Sequence, residues 1–243
     1  FLNNFQDHAQ PRPKKNETVT IELKDTQVIF DHIDLEGEEN CILPFGWNMD
    51  GILLQKAGAQ MITRIEKEGQ ITYVFLKPEG MTPVFTFEEE AITSQGNHVY
   101  KCGKDKPWEL FIVEKGEICL RILCLDRNTS NQMYLLRDQT LLFARGAVME
   151  EEDRIRLETE SAYNKVMSYP KGAMKARGSL EKAGEEDEIF DCWTLRTEEK
   201  KPQAEIAHTA ALKYTVKAPE DFMEGLKDVL LQIRYKGDIG YAF

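Results

Sequence analysis

Apolar and polar residues alternate along most of the chain, and this two-residue period is typical of half-buried β-strands. Clear examples are Thr18 to Leu23, Ile71 to Leu76 and Ile118 to Leu125. About fifteen such runs recur at spacings of roughly 8–12 residues, as in sandwiches and barrels. A helical period is scarce, so we expect only one short helix near Thr129 to Arg137 and one helical turn at Glu220 to Leu226.

The pattern therefore predicts an all-β fold of two packed antiparallel β-sandwich or jelly-roll-like domains with few short helices. The acidic run Glu88 to Glu90 closes a strand-dense block, so we predict a first domain over residues 1–90 and a second over 91–243. The first domain begins with an entry segment over residues 1–15, of which Gln10 to Lys15 is expected to be extended and unpaired, because its prolines cannot donate to a strand ladder. Residues 171–188 hold few large apolar side chains and are predicted to form a mobile loop.

The charge balance narrows the range of partners. The 243 residues include 31 Lys and Arg against 42 Asp and Glu, a net charge of −11, and no basic stripe. Phosphate backbones need clustered cations, so we expect no nucleic-acid partner. No stretch approaches the roughly 20 apolar residues of a membrane helix, and no basic segment precedes an apolar one, so we expect neither a membrane helix nor a signal peptide. Phe1 is not an initiator methionine, and we expect the chain to be a piece of a longer protein.

Five cysteines form an odd set without metal-binding spacing. Since free cysteine is commonly buried, we interpret them as reduced core thiols, with a Cys102–Cys119 disulfide as the alternative. Cys119 and Cys124 are five residues apart in a predicted strand, so they should point to opposite faces.

Motifs for catalysis are absent from the sequence. It has no Gly-x-Ser-x-Gly elbow, phosphate-binding loop or His-Glu-x-x-His, and its four histidines lie on separate segments. The acidic runs Glu150 to Asp153 and Glu185 to Glu188 lack the alternate ligands and turning glycine of a calcium loop. We therefore predict no catalytic residue, no metal ligand and no cofactor within this chain.

One aromatic segment offers candidate binding chemistry. Trp47 precedes Asn48 and Asp50 in what we interpret as a loop between strands. An exposed ring can stack on a sugar face while flanking polar groups bond its hydroxyls, which makes these three residues the candidate carbohydrate site. Packing of Trp47 beneath the loop is the favoured alternative, and we expect Trp108 and Trp193 to pack as well.

Several segments resemble glycoside hydrolase family 35 β-galactosidases. Phe1 to His8 resembles the segment that leaves the catalytic barrel in that family, and Leu43 to Phe45 followed by Gly51 to Gln60 is similar to its Leu-Pro-Phe and Ala-x-Ala-Gln stretch. Ile71 to Leu76 continues this likeness. Asp228 to Asp238 looks like the Leu-x-Ile-x-Tyr-x-Gly-Asp phrase of its carboxy-terminal jelly roll.

The resemblance implies that this chain is the non-catalytic accessory β-rich region of a family 35-like β-galactosidase. The catalytic glutamates would lie in a (β/α)₈ barrel before Phe1, and we do not transfer their role to Asn16-Glu17, which opens a strand. The expected partners are that barrel of the same parent chain and its galactosides. The parent is expected to be a bacterial, secreted or periplasmic glycoside hydrolase, and this chain alone to be inactive. The alternatives are a carbohydrate-binding module that uses Trp47, Asn48 and Asp50, and a structural or interaction domain.

Overall fold

A computed structural model of the chain describes residues 1–152, 154–159, 161–175, 180–183, 187–196, 205–210 and 213–217. Of these residues, 58% lie in strands and 2% in a helix, so the predicted all-β fold of packed antiparallel sheets is confirmed. The strands are β1 (Leu2–Asn3), β2 (Lys14–Glu22), β3 (Gln27–Leu35), β4 (Asn40–Cys41), β5 (Phe45–Met49), β6 (Ile52–Ala57), β7 (Gln60–Lys67), β8 (Gln70–Leu76), β9 (Val84–Phe87), β10 (Ile92–Thr93), β11 (Val99–Lys101), β12 (Trp108–Lys115), β13 (Ile118–Leu125), β14 (Met133–Leu135), β15 (Leu141–Ala144), β16 (Ala147–Glu150), β17 (Ile155–Glu158), β18 (Tyr163–Tyr169), β19 (Leu180–Lys182), β20 (Asp191–Arg196), β21 (Glu205–Ala210) and β22 (Lys213–Lys217), and the helix is α1 (Arg127–Ser130).

Three sheets are stacked around two cores. The outer sheet has the strand order β11-β9-β6-β5, the middle sheet β10-β12-β13-β8-β7, and the third sheet β14-β15-β18-β20-β19. Aromatic side chains such as Phe75, Phe85 and Phe111 fill the first core, between the outer and middle sheets. The second core, between the middle and third sheets, contains Phe143 and Phe190.

The middle sheet is covered on both faces because its central strands are apolar at almost every position. In β13, Leu120 and Ile122 point into the first core, whereas Leu123 and Leu125 point into the second. Successive residues of a strand face opposite sides, so a continuous apolar run is what a doubly covered strand requires. The same strand pairs in parallel with β8, whereas its pairing with β12 is antiparallel.

The predicted domain boundary between residues 90 and 91 does not describe this packing. Strands β7 and β8 lie before the boundary, yet they share one sheet with β10, β12 and β13. The first core likewise combines residues from both sides, for example Phe85 and Phe111, whose ring centroids are 5.2 Å apart. The acidic run Glu88 to Glu90 is not a linker between domains, because it connects β9 of the outer sheet to β10 of the facing middle sheet.

A smaller unit at the amino-terminal end carries its own apolar cluster. The hairpin β2–β3 and the short pair β1–β4 surround Phe30, Ile33 and Cys41. Gln10 to Lys15 was predicted to be extended without pairing, but Lys14 already belongs to β2. Nearer the start of the entry segment, Leu2 pairs with Cys41.

Two further predictions need correction. The helix expected near Thr129 to Arg137 is only Arg127–Ser130, because Met133–Leu135 pairs with β15 instead. The predicted loop 171–188 contains β19, which pairs with β20. The helical turn predicted at 220–226 and the segment 228–238 lie outside the described residues.

The cysteines are all free thiols, and four of them are buried. Cys119 is exposed and Cys124 is buried, so their predicted opposite orientation is confirmed. Trp193 is also buried, and Trp108 packs on Phe190 with ring centroids 5.3 Å apart, as expected for both.

Candidate functional site

The predicted carbohydrate segment is a tight β-hairpin rather than a loop between strands. Met49 at the end of β5 pairs with Ile52 at the start of β6, which leaves a two-residue turn of Asp50 and Gly51. Their φ angles are +46° and +103°. Asp-Gly with both residues at positive φ is the sequence preferred in the type I′ turns that suit hairpin twist. The turn thus sets the register of β5, and with it the face on which each candidate residue lies.

Strand alternation separates Trp47 from Asn48. Trp47 is half-buried and packs against the first core, with its ring 5.3 Å from that of Tyr73 at 89°. Asn48 points to the opposite, exposed face, where its Oδ1 accepts the N–H of Gly51 at 2.7 Å. Packing of Trp47, the favoured alternative, is therefore what the structure shows. Trp47 and Asn48 do not share one sugar-facing surface.

Asp50 faces the middle sheet, as Trp47 does, and takes part in a polar network at the edge of the first core. Nε of Arg64 donates to its Oδ2 at 2.8 Å, and Nη2 donates to its Oδ1 at 3.3 Å. The Tyr73 hydroxyl also donates to Oδ2, at 2.7 Å. Arg64 further donates to Glu66 at 3.0 Å. Since Arg64 and Tyr73 belong to the middle sheet, this network ties the hairpin of the outer sheet to it.

The network shifts the ionisation of its members. Hydrogen bonds from Arg64 and Tyr73 lower the pKa of Asp50, despite its partial burial. Burial and the hydrogen bond to Asp50 raise the pKa of Tyr73 to about 12. The hydrogen bond to Asp50 raises the pKa of Arg64. All three shifts favour a carboxylate, a guanidinium and a neutral phenol at neutral pH, so the cluster is locked in one charge state.

The sequence did not reveal Arg64 and Tyr73 as partners of Asp50. Their separations from it are 14 and 23 residues, and no local motif reports such a contact. The Asp-Gly pair, flanked by apolar residues, was a usable signal, since it predicts a hairpin at this point. Once β5 is placed as a strand, alternation alone would have put Trp47 and Asn48 on opposite faces.

The arrangement around Asp50 is a structural contact between the hairpin of the outer sheet and the middle sheet. Both oxygens of Asp50 are occupied by donors, which leaves no lone carboxylate facing an open site. Across the described ranges, no group of three or more His, Cys, Asp or Glu side chains could hold a metal ion. None of the helical structure in that part of the chain is long and apolar enough to cross a membrane.

A second polar cluster fixes the amino-terminal unit. Glu39 is buried, and its carboxylate accepts the N–H groups of Asn40 and Glu79, both at 2.9 Å, and a guanidinium N–H of Arg127. The buried Asn4 donates to the carbonyl groups of Arg12 and Glu36 at 3.0 and 2.9 Å. Nothing in the sequence marks Asn4 or Glu39 as buried, because polar side chains outside an alternating apolar run are ordinarily exposed.

Comparisons with known proteins add no family assignment. No protein-family model matches this chain, and a search of curated proteins found no relative.

Proposed function

We propose that this chain is the non-catalytic accessory β-rich region of a family 35-like β-galactosidase. In that role it supports a (β/α)₈ barrel of the same parent chain and the sugar site of that barrel. The proposal rests on the resemblance of Phe1 to His8 and of Leu43 to Gln60 to that family, and on what those residues do in this fold.

The residues that carry the resemblance have structural roles here. Ala57 and Ala59 are fully buried in the first core. Between them, a Cβ on Gly58 would lie 3.3 Å from the backbone nitrogen of Val84, so only a very small residue fits easily. Gln60 accepts the N–H of Ile42 through its side chain at 2.9 Å. Motif residues that determine packing are expected if the likeness reflects a shared fold rather than a shared reaction.

The observation that carries the proposal is that the buried Asn4 is held by hydrogen bonds next to a group of exposed apolar side chains, which we call the apolar rim. Asn4 is 8% exposed and is held by the hydrogen bonds described above. Beside it, Phe1 is 79% exposed, Phe5 53% and Ile42 59%. The register of β1 with β4, continued by one residue, places Phe1 opposite Ile42. Large apolar side chains grouped at a surface commonly mark a contact with another protein surface.

This rim suits a barrel that precedes the chain. A segment that leaves a barrel must enter the next domain in a fixed direction if the two are to pack reproducibly. Burial of a large apolar side chain stabilises a contact by roughly 1.5–3 kcal/mol. The neighbouring side chains of Phe1 and Ile42 would therefore contribute about two such increments to docking, and the anchored Asn4 would keep them in place.

The test combines the reading frame with an activity assay. A stretch of roughly 250–300 residues before Phe1, with two glutamates at predicted strand ends, is the expected finding. The product of the whole frame should hydrolyse nitrophenyl β-galactoside, whereas the 243-residue chain alone should not. In the whole protein, Ile42→Asp should weaken the barrel contact, and Ile92→Asp on a different strand is the matched exposed control.

Two outcomes would overturn the proposal. Turnover by the chain alone would show that it is itself catalytic. A reading frame without a barrel, together with galactoside binding by the chain that Trp47→Ala abolishes without loss of fold, would support the carbohydrate-binding alternative.

A further inference from the structure

Two of the five cysteines face each other across the first core. Cys102 and Cys124 are each 4% exposed and belong to the same apolar cluster, and the thiol of Cys124 is the hydrogen-bonding neighbour of the thiol of Cys102. Cys41 belongs to the cluster of the amino-terminal unit, and Cys192 to the second core. The pair is therefore separate from the other buried thiols.

The backbone holds both members of the pair in place from different sheets. Cys102 directly follows β11 of the outer sheet, and its N–H donates to the carbonyl of Pro83 at 3.0 Å. Cys124 lies in β13 of the middle sheet, where its partner in β12 is Glu109. The carboxylate of Glu109 accepts the N–H of Gly103 at 2.7 Å. Gly103, which follows Cys102, is thus hydrogen-bonded to Glu109, which lies directly opposite Cys124. This hydrogen bond holds the two cysteines close to each other.

We infer that Cys102 and Cys124 form a disulfide that joins the outer sheet to the middle sheet. The disulfide forms when the chain folds in the presence of a low-molecular-weight disulfide such as oxidised glutathione. The Cys102–Cys119 pairing is disfavoured by the same geometry. Cys119 is exposed, on the opposite face of β13 from Cys124.

The chemistry is a two-step thiol–disulfide exchange. The thiolate of Cys102 attacks glutathione disulfide, which forms a mixed disulfide and releases one glutathione thiolate. The thiolate of Cys124 then attacks the sulfur of Cys102, forms the Cys102–Cys124 bond and releases the second glutathione. The protein loses two protons and two electrons, and the reagent disulfide is reduced to two glutathione thiols.

Burial determines whether the thiols react with the disulfide reagent before or after the chain has folded. The thiolate is the reactive form, and the neighbouring Cys124 thiol together with burial raises the pKa of Cys102 far above its ordinary value. The folded, reduced pair should therefore resist the reagent, whereas the unfolded chain should react. Once formed, the cystine is shielded from reductant by the same packing.

The test follows the redox state through refolding of the 243-residue chain. The chain is refolded from denaturant either in a glutathione redox buffer or in reductant, and its cysteines are mapped by alkylation and peptide mass. We expect a loss of 2 Da in the oxidised sample, located in a peptide pair that joins Cys102 to Cys124. The cross-link encloses a loop of about 20 residues, so it should raise the melting temperature by roughly 5–10 °C relative to the reduced sample.

Two variants and a second preparation make the result decisive. Cys119→Ser should leave the mass loss and the thermal shift unchanged, and Cys124→Ala should abolish both. If refolding is inefficient, the same map is made on protein exported to a bacterial periplasm. The inference is overturned if Cys102 is alkylated as fully as Cys41 after oxidative folding, or if its disulfide partner is Cys119. Rapid oxidation of the folded, reduced chain would contradict the proposed protection by burial.

Discussion

Replacement of Glu39 by glutamine tests the attachment of the amino-terminal unit. The carboxylate of Glu39 is 5% exposed and accepts three N–H donors, from Asn40, Glu79 and Arg127. A glutamine side chain has the same shape but only one acceptor oxygen, and its NH₂ group must face at least one of these donors. The substitution therefore leaves one partly buried backbone N–H, that of Asn40 or of Glu79, without its partner while the surrounding packing stays the same.

The expected loss in the free energy of unfolding follows from the hydrogen-bonding groups that lose their partner. A buried donor without an acceptor costs about 1–3 kcal/mol. The bond to Arg127 adds less, because that side chain is 36% exposed and such pairs are worth roughly 0–1 kcal/mol. We therefore expect Glu39→Gln to lower the free energy of unfolding by about 1–3 kcal/mol. This corresponds to a fall in melting temperature of roughly 2–10 °C.

The dependence on pH gives a second, independent check. Burial opposes ionisation of Glu39, but the hydrogen bonds from Arg127 and the two backbone N–H groups outweigh it, so the pKa is lowered from its ordinary value of 4.5. A lowered folded-state pKa contributes stability that is present above the unfolded value and is lost as the pH falls through the folded one. The difference between wild type and Glu39→Gln should thus be full at pH 7 and shrink below about pH 4.5.

The assay is urea unfolding followed by tryptophan fluorescence and by circular dichroism, at several pH values. Glu38→Gln is the matched control, because its side chain is exposed and carries the same charge change. The control should change stability by less than about 0.5 kcal/mol. A loss below that size in Glu39→Gln, or a difference between wild type and variant that stays constant down to pH 3, would refute the reasoning.

Three further substitutions test other contacts. Asp50→Ala should lower the pKa of Tyr73 from about 12, although burial keeps it raised, and an unchanged absorbance titration would contradict the network. Lys67→Met removes the ammonium of a side chain that is 13% exposed, which donates at 2.7 Å to Asp138 in the connection between β14 and β15 of the third sheet. It should cost about 1–3 kcal/mol in urea unfolding; no loss would mean that this bridge does not hold the sheets. Gly146→Ala would place its Cβ 2.0 Å from a carbonyl oxygen of β17, so chemical shifts of the β16–β17 hairpin should change, and unaltered shifts would disprove the close approach.

The hairpins are the part of the fold that the sequence reveals best. Lys67 pairs with Gln70 around the turn of Glu68 and Gly69, and the strand predicted from Ile71 to Leu76 begins directly after it. The strand from Ile118 to Leu125 was also located correctly. These features can be predicted because the turn residues and the alternation that indicate them lie within about ten residues of each other in the sequence.

The order of the sheets could not be read in the same way. The parallel pairing of β8 with β13 joins Ile71 to Leu120, 49 residues later, and parallel strands have no turn signal that announces them. The hydrogen-bond partners of Asp50 could not be predicted for the same reason, since Arg64 and Tyr73 come from other strands. The helix expected beyond Ser130 was wrong because pairing with β15 outweighed local propensity there.

The two-sided burial of β13 also bears on how the chain can be divided. Leu120 needs the outer sheet above it, and Leu123 needs the third sheet below it. If the chain were cut after residue 90, the half that keeps β13 would lose β7 and β8 from its sheet, and Ile122 would lose the outer sheet that covers it. Exposed, unpaired apolar strands of this kind promote aggregation. A fragment of residues 91–243 should therefore be insoluble or unfolded. A folded, monomeric 91–243 fragment in gel filtration and circular dichroism would restore the boundary that the acidic run Glu88 to Glu90 suggested.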